Sequence, residues 1–349
     1  MTYDLQLDAI AGDFGFPEGP VAMNDGTLLF VDIEGKKLVR INDQGECLLE
    51  IDLPGGPNGV AIGPDGAAYV CNNGGIYSFV HYPPGTDMFK VPFPDRSSYL
   101  GGRIQRVDLE TKEVTDLYTS PADLSDPAPH GVHLLAPDDI VFDSQGGFWF
   151  TDSGFEDSYQ PADAKKGTPE RPAMHHYGAL FYATIDGQSL TRIATVPMAN
   201  GVGLSPDESK LYVSDTLAGR LWEMDIEAPG KVKARDDGAP GRLVLSLPPV
   251  AGRPQWLDSL KVEASGKVCI GTLFNGGVTV VDPADGSYEH VPVPSAYSDE
   301  KGTPIPELFV TNLCFGGEDM MDVWITASSA GKIFKGGWPR RGLKLAFTA

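Results

Sequence analysis

One short pattern is written six times along the chain. It reads EGPVAMNDGTLLFVD from Glu18, NGVAIGPDGAAYV from Asn58, DDIVFDSQGGFWFTD from Asp138, NGVGLSPDESKLYVSD from Asn200, DSLKVEASGKVCIGT from Asp258 and NLCFGGEDMMDVWIT from Asn312. Each copy is a polar opener, an apolar run, a turn rich in Gly and Asp, and a second alternating run, which describes two strands joined by a tight hairpin. One such unit cannot bury both faces of its sheet, so the copies must close into a ring. Six of them predict an all-β fold, a six-bladed β-propeller with a central channel. The opener is Glu, Asn or Asp every time. Rotational symmetry carries equivalent positions of the innermost strands to one axis, so six oxygen-bearing side chains are expected to converge there.

Intervals between openers run from 40 to 80 residues, so the irregularity belongs to loops rather than to blade cores. The repeats leave no room for a second unit, and residues 1–349 are read as a single domain. The longest insertion, Tyr77 to Pro137, is rich in proline and holds one strand candidate, GRIQRVDL, which is assigned to completing blade two. The second, Ser153 to Tyr177, is polar and proline-rich and reads as a lid or mouth loop. Asp32, Asp152 and Asp215 recur where second strands end. Asp there satisfies nearby backbone N–H groups, so these three are read as structural.

A net charge of −21 repels phosphate backbones and anionic lipid surfaces, which argues against nucleic-acid and membrane partners. The first residues lack the basic and apolar regions of a secretory signal, and no segment approaches the ~20 apolar residues of a membrane span, so a cytoplasmic location is expected. Cys47, Cys71, Cys269 and Cys314 lie far apart without a C-x-x-C pair and read as buried free thiols.

Glu18, Asp138, Asn200 and Asp258 offer an all-oxygen donor set of the kind hard cations take. Ca²⁺ suits it best, Mg²⁺ and Mn²⁺ are close behind, and Zn²⁺ stays open because carboxylates bind it too. The alternative is that polar openers line a water-filled mouth and bind nothing. Charge argues otherwise: three carboxylates near one axis repel one another unless a cation lies between them or one keeps its proton.

FPEGPV at Glu18, the PDDIVFDSQGGFWFTD block around Asp138, NGVGLSPDESKLYVSDT, and TNLCFGGEDMMDVWIT resemble the gluconolactonase, senescence-marker-protein and luciferin-regenerating-enzyme family over nearly the whole chain. The resemblance implies a propeller with one divalent metal in its tunnel and hydrolysis of sugar lactones. Its metal-binding residues fall on Glu18, Asn200 and Asp258. The family's usual Asn-Asp at the blade-three opener is Asp138-Asp139 here, so a carboxylate replaces an amide. That extra charge either tightens metal binding or leaves a proton on one carboxyl that serves as an acid.

The reading that follows is a hydrolase opening a lactone or related cyclic ester. The metal polarises the carbonyl and a carboxylate activates water, with Asp258 as the base and Asp138 as a second catalytic carboxyl. Asn58 is assigned to substrate hydrogen bonding and Trp256 to the pocket wall. His130, His133, His175 and His176 are read as ordinary loop histidines. No G-x-S-x-G elbow, phosphate loop, G-x-G-x-x-G or H-E-x-x-H occurs, which leaves serine-hydrolase, nucleotide and zincin readings without support. The alternatives are a phosphotriesterase-like hydrolase on the same metal, since P=O polarisation needs the same Lewis acid, and a non-catalytic metal- or ligand-binding propeller.

Overall fold

In the computed structural model, which describes residues 5–82, 89–154, 178–295 and 307–348, the six repeats form six antiparallel blades. Their innermost strands are Pro17–Ala22, Pro57–Ile62, Pro137–Phe142, Ala199–Leu204, Trp256–Val262 and Val310–Gly316. These strands touch in that order around the axis, and the sixth returns to the first. The segment GRIQRVDL supplies the third strand of blade two, Arg103–Val107, paired to Ala68–Asn72. Blade six takes its outermost strand, Leu7–Ala11, from the start of the chain, where it pairs with Lys332–Gly337. Joining the two ends of the ring within one sheet removes the free edge that an open array would expose.

Apolar runs on facing sheets explain why the ring holds. Six clusters of buried side chains each lie between two consecutive blades, such as Val21, Val31 and Val70 between blades one and two, and Trp324, Cys314 and Phe30 between six and one. Each turn of the repeat has its own chemistry. In the second copy Gly66 takes φ +76°, open to glycine, and Asp65 accepts the Ala67 N–H to hold the hairpin.

Close approach at the axis dictates a second glycine. A Cβ on Gly59 would lie 2.3 Å from the Asp138 carbonyl oxygen, and one on Gly201 2.7 Å from that of Asp258. The residue after the opener is therefore glycine in blades one, two and four. Hydroxyls on the second strands tie neighbours together: Ser214 Oγ accepts the Gly201 N–H at 2.7 Å and donates to the Asp258 carbonyl of the next blade at 2.7 Å. Thr151 makes the corresponding link from the Asp139 N–H to the Asn200 carbonyl.

Two features depart from the sequence reading. Cys71, Cys269 and Cys314 are buried free thiols as expected, but Cys47 is exposed, because it opens the outermost strand of blade one (Cys47–Asp52) rather than an inner one. The long insertion of blade two also holds an extra hairpin, Tyr77–Tyr82 paired with Phe89–Pro94, standing apart from the blade sheets. The loop read as a lid falls almost wholly at 155–177, outside the described residues. Among those residues no helix is long and apolar enough to cross a membrane.

Candidate active site

In every blade the pairing between the two inner strands breaks register beside the opener, for example between Glu18 and Val21 and between Pro137 and Ile140. In blades two to five the break leaves Asn58, Asp138, Asn200 and Asp258 outside the ladder, whereas Glu18 and Asn312 stay paired at its edge. Glu18, Asn58, Asp138, Asn200 and Asp258 are all buried and all line one axial cavity of about 460 Å³. The sixth opener, Asn312, is fully buried beside Glu18.

Around the axis the openers alternate between carboxylate and carboxamide, and each acid has an amide partner from an adjacent blade. Asn312 Nδ2 donates to Glu18 Oε2 at 2.8 Å, and Asn58 Nδ2 donates to Asp138 Oδ1 at 3.0 Å. Asn200 hydrogen-bonds the Asp258 side chain. Blades six and one, two and three, and four and five are thus coupled in pairs.

Electrostatics show that these acids share one low-dielectric space. Burial pushes the Glu18 carboxyl up to about 7, against the lowering effect of its bonds to Asn312 and the Gly19 N–H. Asp138 is held well above the ordinary carboxylate range by burial and then by the charge of Glu18. Asp258 is raised likewise by burial, by Glu18 and by Asp138. An all-oxygen, mutually repelling set is chemically suited to a hard divalent cation, which would relieve that repulsion. Among the described residues, however, no three His, Cys, Asp or Glu side chains gather tightly enough to grip an ion together. Glu18 and Asp138 are instead turned onto their amide partners.

Asp139 points elsewhere. Its Oδ1 accepts the Ile140 N–H at 3.0 Å, and its Oδ2 lies 3.3 Å from the Val202 N–H and 3.5 Å from Lys261 Nζ. This ion pair joins blades three and five. Beyond it, the chain end crosses the far face of the ring, with Leu345 and Phe347 beside Val141 and Phe142.

Trp256 lines the cavity, its ring 5.0 Å from that of Phe274. Asp32 receives the N–H groups of Gly15, Phe16 and Gly35, and Asp152 those of Leu135, Ala136 and Gly154, the structural task expected of them. His130 packs on the Tyr118 ring, and neither it nor His133 lines the cavity. His175 and His176 lie outside the described residues. Sequence reasoning missed Tyr77 and the extra hairpin, which form much of the cavity wall. The signal was present as alternating apolar residues in YSFVHY and FKVPFP, separated by a short stretch containing Pro-Pro-Gly.

Together these features define a six-bladed propeller with a carboxylate-floored axial pocket. The chain belongs to the SMP-30/gluconolactonase/LRE-like family, whose profile, described as the SMP-30/Gluconolactonase/LRE-like region, matches residues 16–329. It is 24% identical to a gluconolactonase of Zymomonas mobilis over 342 residues, covering 92% of this chain and 79% of that one. It is 37% identical to lactonase drp35 of Staphylococcus aureus over 94 residues, 27% of this chain and only 24% of the relative. Among solved structures, a gluconolactonase of Xanthomonas campestris superposes with a TM-score of 0.64 at 21% identity, covering 96% of this chain and 90% of that one. Regucalcin of Agrobacterium tumefaciens, described as a calcium-binding protein, does so at 0.62 and 16% identity, with 95% of each chain covered. At such identities the structural likeness speaks for the fold.

Proposed function

We propose that this chain is a divalent-metal-dependent hydrolase that opens a lactone or related cyclic ester. The observation that carries the reading is the trio of buried carboxylates from blades one, three and five on one cavity, where Glu18 raises the proton affinity of Asp138 and Asp258, and Asp138 that of Asp258. Gluconolactonase and lactonase relatives supply the reaction class, and the calcium-binding relative favours Ca²⁺.

Glu18, Asp138, Asn200 and Asp258 would hold the ion, which when bound supplies Lewis-acid polarisation of the substrate carbonyl. Asp258, raised by burial and by neighbouring charge, is the base. It takes a proton from water as the water oxygen bonds the acyl carbon, and returns it to the alkoxide oxygen as the acyl C–O bond breaks. The product is the ring-opened hydroxy acid. Asn58, whose Nδ2 is committed to Asp138, keeps its amide oxygen for a substrate hydroxyl or the attacking water. Buried free thiols accord with a reducing, cytoplasmic compartment.

The test is metal analysis of the purified protein, followed by pH-stat assay of lactones with and without chelator. Activity lost to chelator and restored by Ca²⁺ is expected. Asp258→Asn should lower kcat at least a hundredfold, and near-normal turnover by that variant would end its assignment as base.

A further inference from the structure

We infer that the substrate this site selects is a neutral lactone or ester bearing an apolar alkyl or aryl substituent, and that the paired strands Tyr77–Tyr82 and Phe89–Pro94 select it. The inference rests on the hydrolase reading above.

Only the cavity floor is strongly polar. Above it stand Phe16, Phe79, Phe93, Phe274, Phe309 and Trp256. Neither Lys, Arg nor His lines the cavity among the described residues, so nothing there would pair with a substrate anion, and the carboxylate floor would repel one. Beyond the floor, the Tyr77 and Thr216 hydroxyls and the Trp256 indole N–H are the polar groups of the described wall. A polyhydroxylated lactone entering such a space gives up its hydration without finding partners, at a cost of about tenfold in binding for each unpaired hydroxyl. An apolar substituent gains about fourfold for each methylene it buries there.

The hairpin builds this wall because it is fastened across the ring. Lys90 Nζ donates to the Gly15 carbonyl at 2.9 Å and pairs with Glu34 at 2.5 Å, both in blade one. The backbone of Lys90 exchanges hydrogen bonds with Ser329 Oγ, at 3.0 Å to its N–H and 2.8 Å to its carbonyl, on the blade-six side. Phe79 then lies 5.1 Å from Phe16, ring centre to ring centre, which closes an aromatic corner over the pocket. Phe93 lines the cavity yet is 52% exposed, an energetic cost that a bound apolar substituent would offset.

The experiment compares kcat/KM of the metal-loaded enzyme for γ-butyrolactone, γ-hexalactone, γ-octalactone, γ-decalactone and glucono-1,5-lactone by pH-stat, after subtracting spontaneous hydrolysis. Expected is a rise of about threefold or more per methylene, with the sugar lactone at least a hundredfold below γ-octalactone. Phe93→Ser, at a half-exposed position tolerant of change, should cut the decalactone-to-butyrolactone ratio about tenfold, mainly through KM. A flat series, or a sugar lactone turned over as well as the alkyl lactones, overturns the inference while the hydrolase reading stands. If no lactone turns over, the hydrolase reading falls and calorimetry on the matching γ-alkyl lactams decides the rest. Affinity that climbs with chain length supports the apolar site, and affinity independent of it refutes the site.

Discussion

The Asp139–Lys261 pair offers a quantitative check on how the channel is built. Asp139 is 1% exposed and Lys261 16%, with 3.5 Å between Oδ2 and Nζ. At an effective dielectric near 20 the attraction is about 5 kcal/mol before desolvation is counted. Desolvation removes much of it, and a net coupling of about 2 kcal/mol is expected. Asp139→Asn keeps one oxygen for the Ile140 N–H but leaves the ammonium of Lys261 without its carboxylate, a loss of about 3 kcal/mol. It also removes a charge that pushes up Glu18, Asp138 and Asp258, and that relief partly offsets the loss. A double-mutant cycle with Lys261→Met separates the two, because the relief enters both Asp139 variants and cancels in the coupling. The assay is urea unfolding in EDTA, so that bound metal adds nothing to stability. A coupling below about 0.5 kcal/mol would refute the idea that this pair ties blade three to blade five.

Three other outcomes are expected. Burial raises the Glu307 carboxyl from its ordinary 4.5 to about 7, so the folded state holds its proton more tightly than the unfolded chain does. That contribution is complete below pH 4.5 and lost as pH rises through 7. Glu307→Gln should therefore gain up to about 3 kcal/mol on wild type across that window, and a pH-independent difference in unfolding free energy would contradict it. Ser214→Ala removes two buried hydrogen bonds and should cost about 2–3 kcal/mol by urea unfolding, with Ser214→Thr restoring most of it because Thr151 does the same work in blade three. Asp138→Asn should weaken Ca²⁺ binding about tenfold or more in calorimetric titration through loss of a charged ligand, and an unchanged affinity would show the extra carboxylate to be incidental.

Much of the ring was legible in the sequence because the repeat encodes local facts. Alternating apolar residues, a Gly-bearing turn and a polar opener specify a two-strand unit, and burial of both its faces then demands a neighbour. The same logic carries Glu18, Asn58, Asp138, Asn200 and Asp258 to one cavity. The walls were another matter. Tyr77, Phe79 and Phe93 sit in a hairpin that belongs to no blade, placed by single contacts such as Lys90 with Ser329, which is 239 residues away in sequence. Such pairings leave no periodicity to read. Leu7–Ala11 escaped notice for a related reason: its partner strand lies at the other end of the chain, and its own residues alternate only weakly.

The amide partners were hidden in plain view, and they alter the meaning of Asp138. Taken alone, a third carboxylate at the axis looks like surplus negative charge. In the ring it completes an alternation in which Glu18, Asp138 and Asp258 each meet one carboxamide from an adjacent blade, Asn312, Asn58 and Asn200 respectively. An asparagine at 138 would face Asn58 amide to amide, giving up a charge-assisted hydrogen bond for a neutral one roughly half as strong. The amides partly compensate the burial of three acids, yet all three carboxyls remain raised, so repulsion is lessened rather than abolished. Glu18, Asp138, Asn200 and Asp258 are the side chains that would hold a cation, and Asn312 and Asn58, bonded to Glu18 and Asp138, fix where those carboxylate oxygens sit. The acid–amide alternation, more than the carboxylates alone, is therefore the feature by which to recognise this site.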